Sequence, residues 1–172
     1  MSRVAPILIR LLTWATFAIW FGGFTFYVSI VVPTGTEIMG TARAQGAITR
    51  AVTPWLNGAC GLAVLMMLVD AAWTYAPSTT QGKSSRARWW GLASALVILL
   101  LLIALVILHP KLDGMIEGEG LKIRLSERDT FYQWHRAYLW VSTLQWIAAW
   151  VWLGSAVWRF QSQRVAPPPK TG

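Results

Sequence analysis

The sequence is poor in the residues from which soluble domains and most active sites are built. Its 172 residues include seven Asp and Glu, two His and one Cys, whereas 55% are hydrophobic. The single cysteine, Cys60, excludes an intrachain disulfide. No Ser-His-Asp, Cys-His or paired-carboxylate arrangement can be assembled from the motifs present, which argues against an enzyme.

The sequence contains four long apolar segments. A bilayer core of about 30 Å needs about 20 apolar residues in a helix, because lipid cannot hydrogen-bond exposed backbone groups. The segments of this length are Leu11–Val32, Pro54–Tyr75, Trp89–Leu108 and Trp134–Trp158. They predict an all-α membrane protein: an antiparallel bundle of four transmembrane helices in one domain, residues 1–164, followed by a Pro-rich disordered tail, 165–172.

The distribution of charged residues among the loops predicts the orientation of the protein in the membrane. Eight cations lie at the two termini and between the second and third segments, with no carboxylate among them. The other two loops hold seven cations and six carboxylates, which nearly cancel. Cytoplasmic loops retain Lys and Arg, so both termini are predicted to be cytoplasmic, in a bacterial inner membrane. The net charge of +8 is therefore a topology signal, with the lipid bilayer as the partner and no nucleic acid.

Both outer loops are predicted to be structured. Residues 36–53 are good helix formers with spaced apolar side chains, which indicates a short interfacial helix running into the second span, with Pro54 at the junction. The fourth helix is predicted to begin near Glu127, because carboxylates favour the first turn of a helix. Small residues such as Gly22, Gly23, Gly58, Gly61 and Gly91 are predicted helix contact points.

A polar stripe marks the fourth helix. His135, Tyr138, Ser142 and Gln145 follow the spacing of one helical face. Polar groups cost free energy against lipid, so this face is predicted to point into the bundle, toward His109 or the first span. The stripe is the candidate site for a small ligand near the outer face.

The two histidines allow two interpretations. His109 ends the third span and His135 opens the fourth, so antiparallel helices would place them at similar depth. Paired imidazoles could ligate copper, or provide both axial ligands of a b-type haem. Alternatively, each histidine merely forms hydrogen bonds at the membrane interface.

Asp70 is the one carboxylate inside a predicted span. Intramembrane acids are functional candidates, which points to proton or ion transport. Arg10 lies at comparable depth on the first span, however, so a structural ion pair between Arg10 and Asp70 is the competing prediction.

Several short motifs resemble one family. They are Trp20-Phe-Gly-Gly-Phe-Thr-Phe-Tyr-Val-Ser-Ile-Val-Val-Pro33, Ala44-Gln-Gly46, His109-Pro-Lys-Leu112 and Phe131-Tyr-Gln-Trp-His135. Together they resemble the small four-span membrane proteins grouped as TMEM205-like, or DUF4149. Tyr138 and Ser142 depart from the small and amide residues that the family places after that histidine. The resemblance implies the four-span fold and marks His135 for testing, but it implies no reaction.

Three classes of function remain open. The leading hypothesis is a nonenzymatic membrane protein, either an accessory subunit of a larger complex or homo-oligomer, or a small-ligand binding bundle. A haem or copper protein that uses His109 and His135 comes second. A membrane enzyme comes third.

Overall fold

The structure, a computed structural model, describes residues 4–74, 84–117 and 122–164. The chain begins with one long helical unit in three consecutive parts, which are α1 (Val4–Phe26), a π-helical turn (Tyr27–Val31) and α2 (Val32–Met39). This unit ends at Gly40, whose φ of 69° is left-handed. Glycine adopts that conformation without a steric cost, which is why it commonly terminates helices.

Three further long helices follow. They are α3 (Ala42–Thr74), α4 (Ser84–Gly114) and α5 (Arg128–Arg164). Between α4 and α5 lies a two-residue antiparallel pair, β1 (Ile116–Glu117) with β2 (Lys122–Ile123), and then a 3₁₀ turn (Leu125–Glu127). The start of α5 at Arg128 agrees with the predicted start near Glu127. The predicted tail, 165–172, lies outside the described residues.

The interfacial helix predicted within residues 36–53 does not form a separate element. Residues up to Met39 complete α2, and residues from Ala42 onward are already the first turns of α3, which continues through Pro54. Only two residues leave the helices at this corner. Left-handed Gly40 reverses the chain, and Thr41 caps α3 by accepting a hydrogen bond from the amide of Ala44 over 3.3 Å. The prediction of helix was therefore right, and that of an independent helix was wrong.

The helices run alternately up and down. Thr13 of α1 donates to the carbonyl of Met66 on α3, and Gln145 of α5 donates to that of Ile98 on α4. Phe21 of α1 stacks with Trp146 of α5, which closes the ring of four helices. The bundle therefore has two ends. We call the end where residues 4 and 164 lie the terminal end, and the end where Gly40 and the β1–β2 pair lie the hairpin end.

The core of the bundle is made by aromatic rings on one side and by small residues on the other. Phe17, Trp20 and Trp152 are buried between α1 and α5, while Ala95 and Ala149 bring α4 and α5 close together. Lipid is as apolar as the core, so close contact of this kind drives association inside a membrane. Of the predicted glycine contacts, Gly61 lies beside Leu102 and Gly91 beside Ser155, whereas Gly22, Gly23 and Gly58 face open space.

Within the described residues, three helical stretches are long and apolar enough to cross a membrane. They are Val4–Met39, Ala44–Trp73 and Arg88–Gly114. Each contains one of the first three apolar segments, apart from Thr74, which follows the second stretch, and Tyr75, which lies outside the described residues. The fourth segment, Trp134–Trp158, forms part of α5 but carries more polar side chains and is not among the three.

Candidate functional site

A row of polar side chains follows one face of α3 toward the hairpin end. Gln45, Thr49, Thr53 and Asn57 are spaced four residues apart, so each lies one turn from the next. Thr49 donates its hydroxyl proton to the carbonyl of Gln45 over 3.1 Å, and Thr53 donates to the carbonyl of Thr49 over 2.7 Å. Because each hydroxyl proton is used within the helix, both threonine oxygens remain available as acceptors. We call this row the α3 ladder.

Tyr27 reaches the α3 ladder from the first helical unit. Its hydroxyl donates to Thr49 Oγ1 over 2.9 Å, and its ring is buried. Tyr27 is the first residue of the π-helical turn, where one extra residue is accommodated and the following side chains are rotated around the helix axis. Such single π turns occur frequently at functional sites.

Tyr138 reaches the same ladder from α5, one turn further along. Its hydroxyl contacts the side chains of Thr53 and Asn57. Ser142, one turn later on α5, is buried and donates to the carbonyl of Tyr138 over 2.9 Å. Two tyrosines from two different helices thus meet successive turns of α3.

Gln145 completes the polar stripe of α5 in the bundle interior. The side chain is 3% exposed, and its Nε2 lies 3.4 Å from both Cys60 Sγ on α3 and the carbonyl of Ile98 on α4. Tyr138, Ser142 and Gln145 therefore face α3 and α4, as expected for polar groups that avoid lipid. Of the two predicted neighbours, His109 or the first span, the contacts of Gln145 lie on α3 and on α4, the helix that carries His109.

The two histidines have separate surroundings. His135 is exposed and stacks on Phe131 of the preceding turn, with ring centroids 5.8 Å apart. His109 Nε2 lies 3.6 Å from Asp113 Oδ2 on the next turn of α4. Near them, the Lys111 ammonium lies over the Trp134 ring, so these segments of α4 and α5 are side by side.

His109 belongs to a small charged cluster at the hairpin end. Arg50 of α3 places its Nε 3.1 Å from Asp113 Oδ1, so the carboxylate of Asp113 has the guanidinium on one oxygen and the imidazole on the other. All three side chains are partly exposed. Within residues 4–74, 84–117 and 122–164, no three His, Cys, Asp or Glu side chains converge as a metal site would require.

Arg10 and Asp70 are brought together near the terminal end. Arg10 Nε lies 3.9 Å from Asp70 Oδ1, with the arginine about half exposed and the aspartate mostly buried. At this distance the two charges are compatible with the structural ion pair considered above.

Gln45, at the hairpin end of the ladder, is the least satisfied polar residue of the site. Its side chain is 3% exposed, and neither Oε1 nor Nε2 has a hydrogen-bond partner in the part of the chain that the structure describes. The carboxamide packs directly on Gly35 of α2, where a Cβ would overlap Oε1. A side chain at position 35 would therefore require this carboxamide, the end of a flexible side chain, to shift.

The spacing of polar residues in the sequence also indicates the α3 part of this site. The four-residue spacing of Gln45, Thr49, Thr53 and Asn57 is the pattern of one helix face, just as it is on α5. Tyr27 could not be added from spacing, because its contact with Thr49 depends on the packing of the first helical unit against α3. The pairing of Arg50 with Asp113 depends on the packing of α3 against α4.

Comparisons with protein-family models, with characterised proteins and with solved structures gave no match to this chain. The resemblance to the TMEM205-like family therefore stays a prediction that rests on its short motifs.

Proposed function

We propose that the protein is an integral membrane protein with four spans, α5 being the fourth. The side chains of α5 divide into two faces. One face buries Ser142, Gln145 and Ala149, while Trp140, Leu144 and Ile147 are exposed on another. A helix with its polar groups directed inward and large apolar side chains outward suits a lipid environment.

The positions of six of the nine exposed tryptophans support this proposal. Trp73, Trp89, Trp90 and Trp158 lie toward the terminal end, and Trp55 and Trp134 lie toward the hairpin end. Indole rings favour the two membrane interfaces. Trp55 and Trp73 are 18 positions apart on α3, which corresponds to about 27 Å along a helix, close to the thickness of a bilayer core of about 30 Å.

The hairpin end then lies on the outer side and both termini lie in the cytoplasm, in a bacterial inner membrane. The unopposed cations at the terminal end support this orientation, because cytoplasmic segments retain Lys and Arg. All four helical units continue past the tryptophans at the hairpin end. The α3 ladder between Gln45 and Thr53 therefore belongs to the outer part of the bundle.

We further propose that this outer part binds a small molecule without catalysing a reaction. The observation that carries the proposal is the convergence of Tyr27 and Tyr138 on successive turns of the α3 ladder. Tyr27 donates its hydroxyl proton to Thr49, which leaves its phenolic oxygen able to accept from a ligand, and Tyr138 contacts the side chains of Asn57 and Thr53 on the next turns. Uncharged hydrogen-bonding groups within an apolar bundle are typical of small-molecule sites.

Mass spectrometry of the full chain in lipid nanodiscs tests this function. We expect a retained small molecule with the wild-type protein, and its loss when Tyr27→Phe and Tyr138→Phe are combined. Tyr132→Phe is the matched control, because Tyr132 is exposed on α5. Equal retention by all variants, or the absence of any retained molecule, would contradict a ligand site at the two tyrosines.

The same preparations distinguish the other classes. A haem absorption band or stoichiometric copper that disappears with His109→Ala or His135→Ala would favour a metal protein. Copurifying protein subunits would favour the accessory role, in which the hairpin end contacts a larger complex or a second copy. Turnover of a retained molecule would favour an enzyme.

A further inference from the structure

The facing surfaces of α4 and α5 each carry an arginine at the terminal end. On α4, Arg88 precedes Gly91 and Ala95 at the spacing of one helical face, and Ala95 is buried in the core. On α5, Arg159 follows Ser155 by one turn. Gly91 and Ser155 meet, because a Cβ added to Gly91 would lie 3.1 Å from Ser155 Oγ. The two arginines therefore continue one helix interface toward the terminal end.

The guanidinium of Arg159 reaches across this interface. A Cβ added to Gly91 would lie 3.5 Å from Arg159 Cζ and 3.6 Å from Nη2, so the cation lies against the backbone of α4. The absence of a side chain at position 91 leaves the space that the guanidinium occupies. Arg88 and Arg159 are both only partly buried, so each can be reached from outside the bundle.

The sequence supplies almost no negative charge to this end of the bundle. Residues 71–112 and 130–172 contain no Asp or Glu, whatever their position in the fold. Asp70, the carboxylate of α3, lies beside Arg10. Two cations that end one interface repel each other, and partial burial adds to the cost of each charge. An anion from outside the chain would offset both effects.

Exposed indole rings indicate that these arginines lie at the level of the lipid headgroups. Trp89 and Trp90 directly follow Arg88, Trp158 directly precedes Arg159, and all three rings are exposed. Indole rings favour the membrane interface. A phosphate oxygen pair accepts two parallel N–H bonds from a guanidinium. The five N–H donors of Arg159 allow it to bind a phosphate in addition to any partner within the protein.

We propose that Arg88 and Arg159 bind the phosphate of an anionic phospholipid at the terminal end of the α4–α5 interface. Basic sites between membrane helices commonly bind such headgroups. A lipid is favoured over a soluble phosphate because the tryptophans place the site at the membrane interface. The inference rests on the proposal that α5 spans the membrane, but it concerns the end of the bundle opposite to the α3 ladder. Failure of lipid binding would therefore leave the proposed small-molecule site intact.

Native mass spectrometry of the full chain in detergent provides the test. The protein is titrated with phosphatidylglycerol and separately with phosphatidylcholine of the same acyl chains, and the Kd of the first bound lipid is compared. Arg88→Gln combined with Arg159→Gln removes both cations. Arg128→Gln combined with Arg136→Gln is the matched control, because these arginines are exposed toward the hairpin end of α5 and the change in net charge is the same.

We expect the wild-type protein to bind phosphatidylglycerol about thirtyfold more tightly than phosphatidylcholine, since each arginine near the surface contributes about a fivefold preference for anionic lipid. The Arg88 and Arg159 double variant should lose most of this preference, whereas the control should keep it. Equal binding of both lipids by the wild-type protein overturns the proposal whether or not the variants fold, and so does an equal loss in both double variants. Displacement of the lipid by an equal concentration of inorganic phosphate also overturns it, because the site then selects a soluble anion.

Discussion

Tyr27 and Thr49 join the first helical unit to α3 through one hydrogen bond of 2.9 Å, in which the phenol donates to the threonine oxygen. Thr49 in turn donates to the backbone of its own helix. From α5, the Tyr138 hydroxyl contacts the side chains of Asn57 and Thr53 on the same ladder. Contacts from two other helices therefore hold α3 at the hairpin end, and the fold and the candidate site share the same residues.

Removal of the Tyr27 hydroxyl should weaken the bundle. Tyr27→Phe keeps the ring and deletes one buried hydrogen bond, so we expect the free energy of unfolding in detergent to fall by about 1 kcal/mol. The hydroxyl of Thr49 keeps its own acceptor. Tyr132→Phe, at an exposed tyrosine, should change stability by less than a few tenths of a kcal/mol, and equal effects of the two substitutions would argue against the contact.

A methyl group on Gly35 should be far more disruptive than one on Gly22. A Cβ at position 35 would overlap the carboxamide of Gln45, whereas a Cβ at position 22 meets nothing within 4 Å. We expect Gly35→Ala to cost about 1–3 kcal/mol, as overpacking does, and Gly22→Ala to be neutral or stabilising.

Chemical denaturation of the double variant completes this test. Shortening the neighbour with Gln45→Ala should restore most of the stability lost in Gly35→Ala, since the overlapping atoms are gone. Additive losses in the double variant would show that the two side chains do not meet.

The sequence predicted the helices well and the site only in part. The apolar runs predicted helical segments of the right length, because the length of a single apolar run is enough to indicate a helix that can cross a bilayer. The inward direction of Ser142 and Gln145 followed from the cost of exposing polar groups to lipid. These inferences depend on one helix at a time.

The features that the sequence could not predict depend on how two helices pack against each other. His109 is a predicted ligand of haem or copper together with His135, but the packing of α3 against α4 places Arg50 on Asp113 and leaves His109 beside that pair. Gly35 and Gln45 meet because two residues, Gly40 and Thr41, suffice to turn the chain. Likewise, Gly22 and Gly23 have the composition of a contact surface, but they are exposed, while α1 packs on α5 through the neighbouring face that carries Phe17 and Phe21.

The ion pair between Arg50 and Asp113 should contribute little and should depend on salt. Both side chains are partly exposed, so a double-mutant cycle with Arg50→Gln and Asp113→Asn should give a coupling of about 0.5 kcal/mol at low ionic strength. In 1 M NaCl the coupling should approach zero because the charges are screened. A coupling of several kcal/mol that persists in salt would indicate a buried, catalytically or structurally essential pair instead.

Labelling of introduced cysteines on intact cells tests both the orientation and the fourth span. In a Cys60→Ser background, single cysteines are placed at Thr130 and at Gln161, which are exposed near opposite ends of α5. If α5 crosses the membrane with the termini inside, an impermeant maleimide should modify Thr130→Cys in intact cells, and Gln161→Cys only after lysis. Modification of both in intact cells would mean that α5 does not cross, because its two ends would share one side. The reverse pattern would mean that α5 crosses in the opposite direction, which would place the α3 ladder, Tyr27 and Tyr138 on the cytoplasmic side and require any ligand to come from the cell interior.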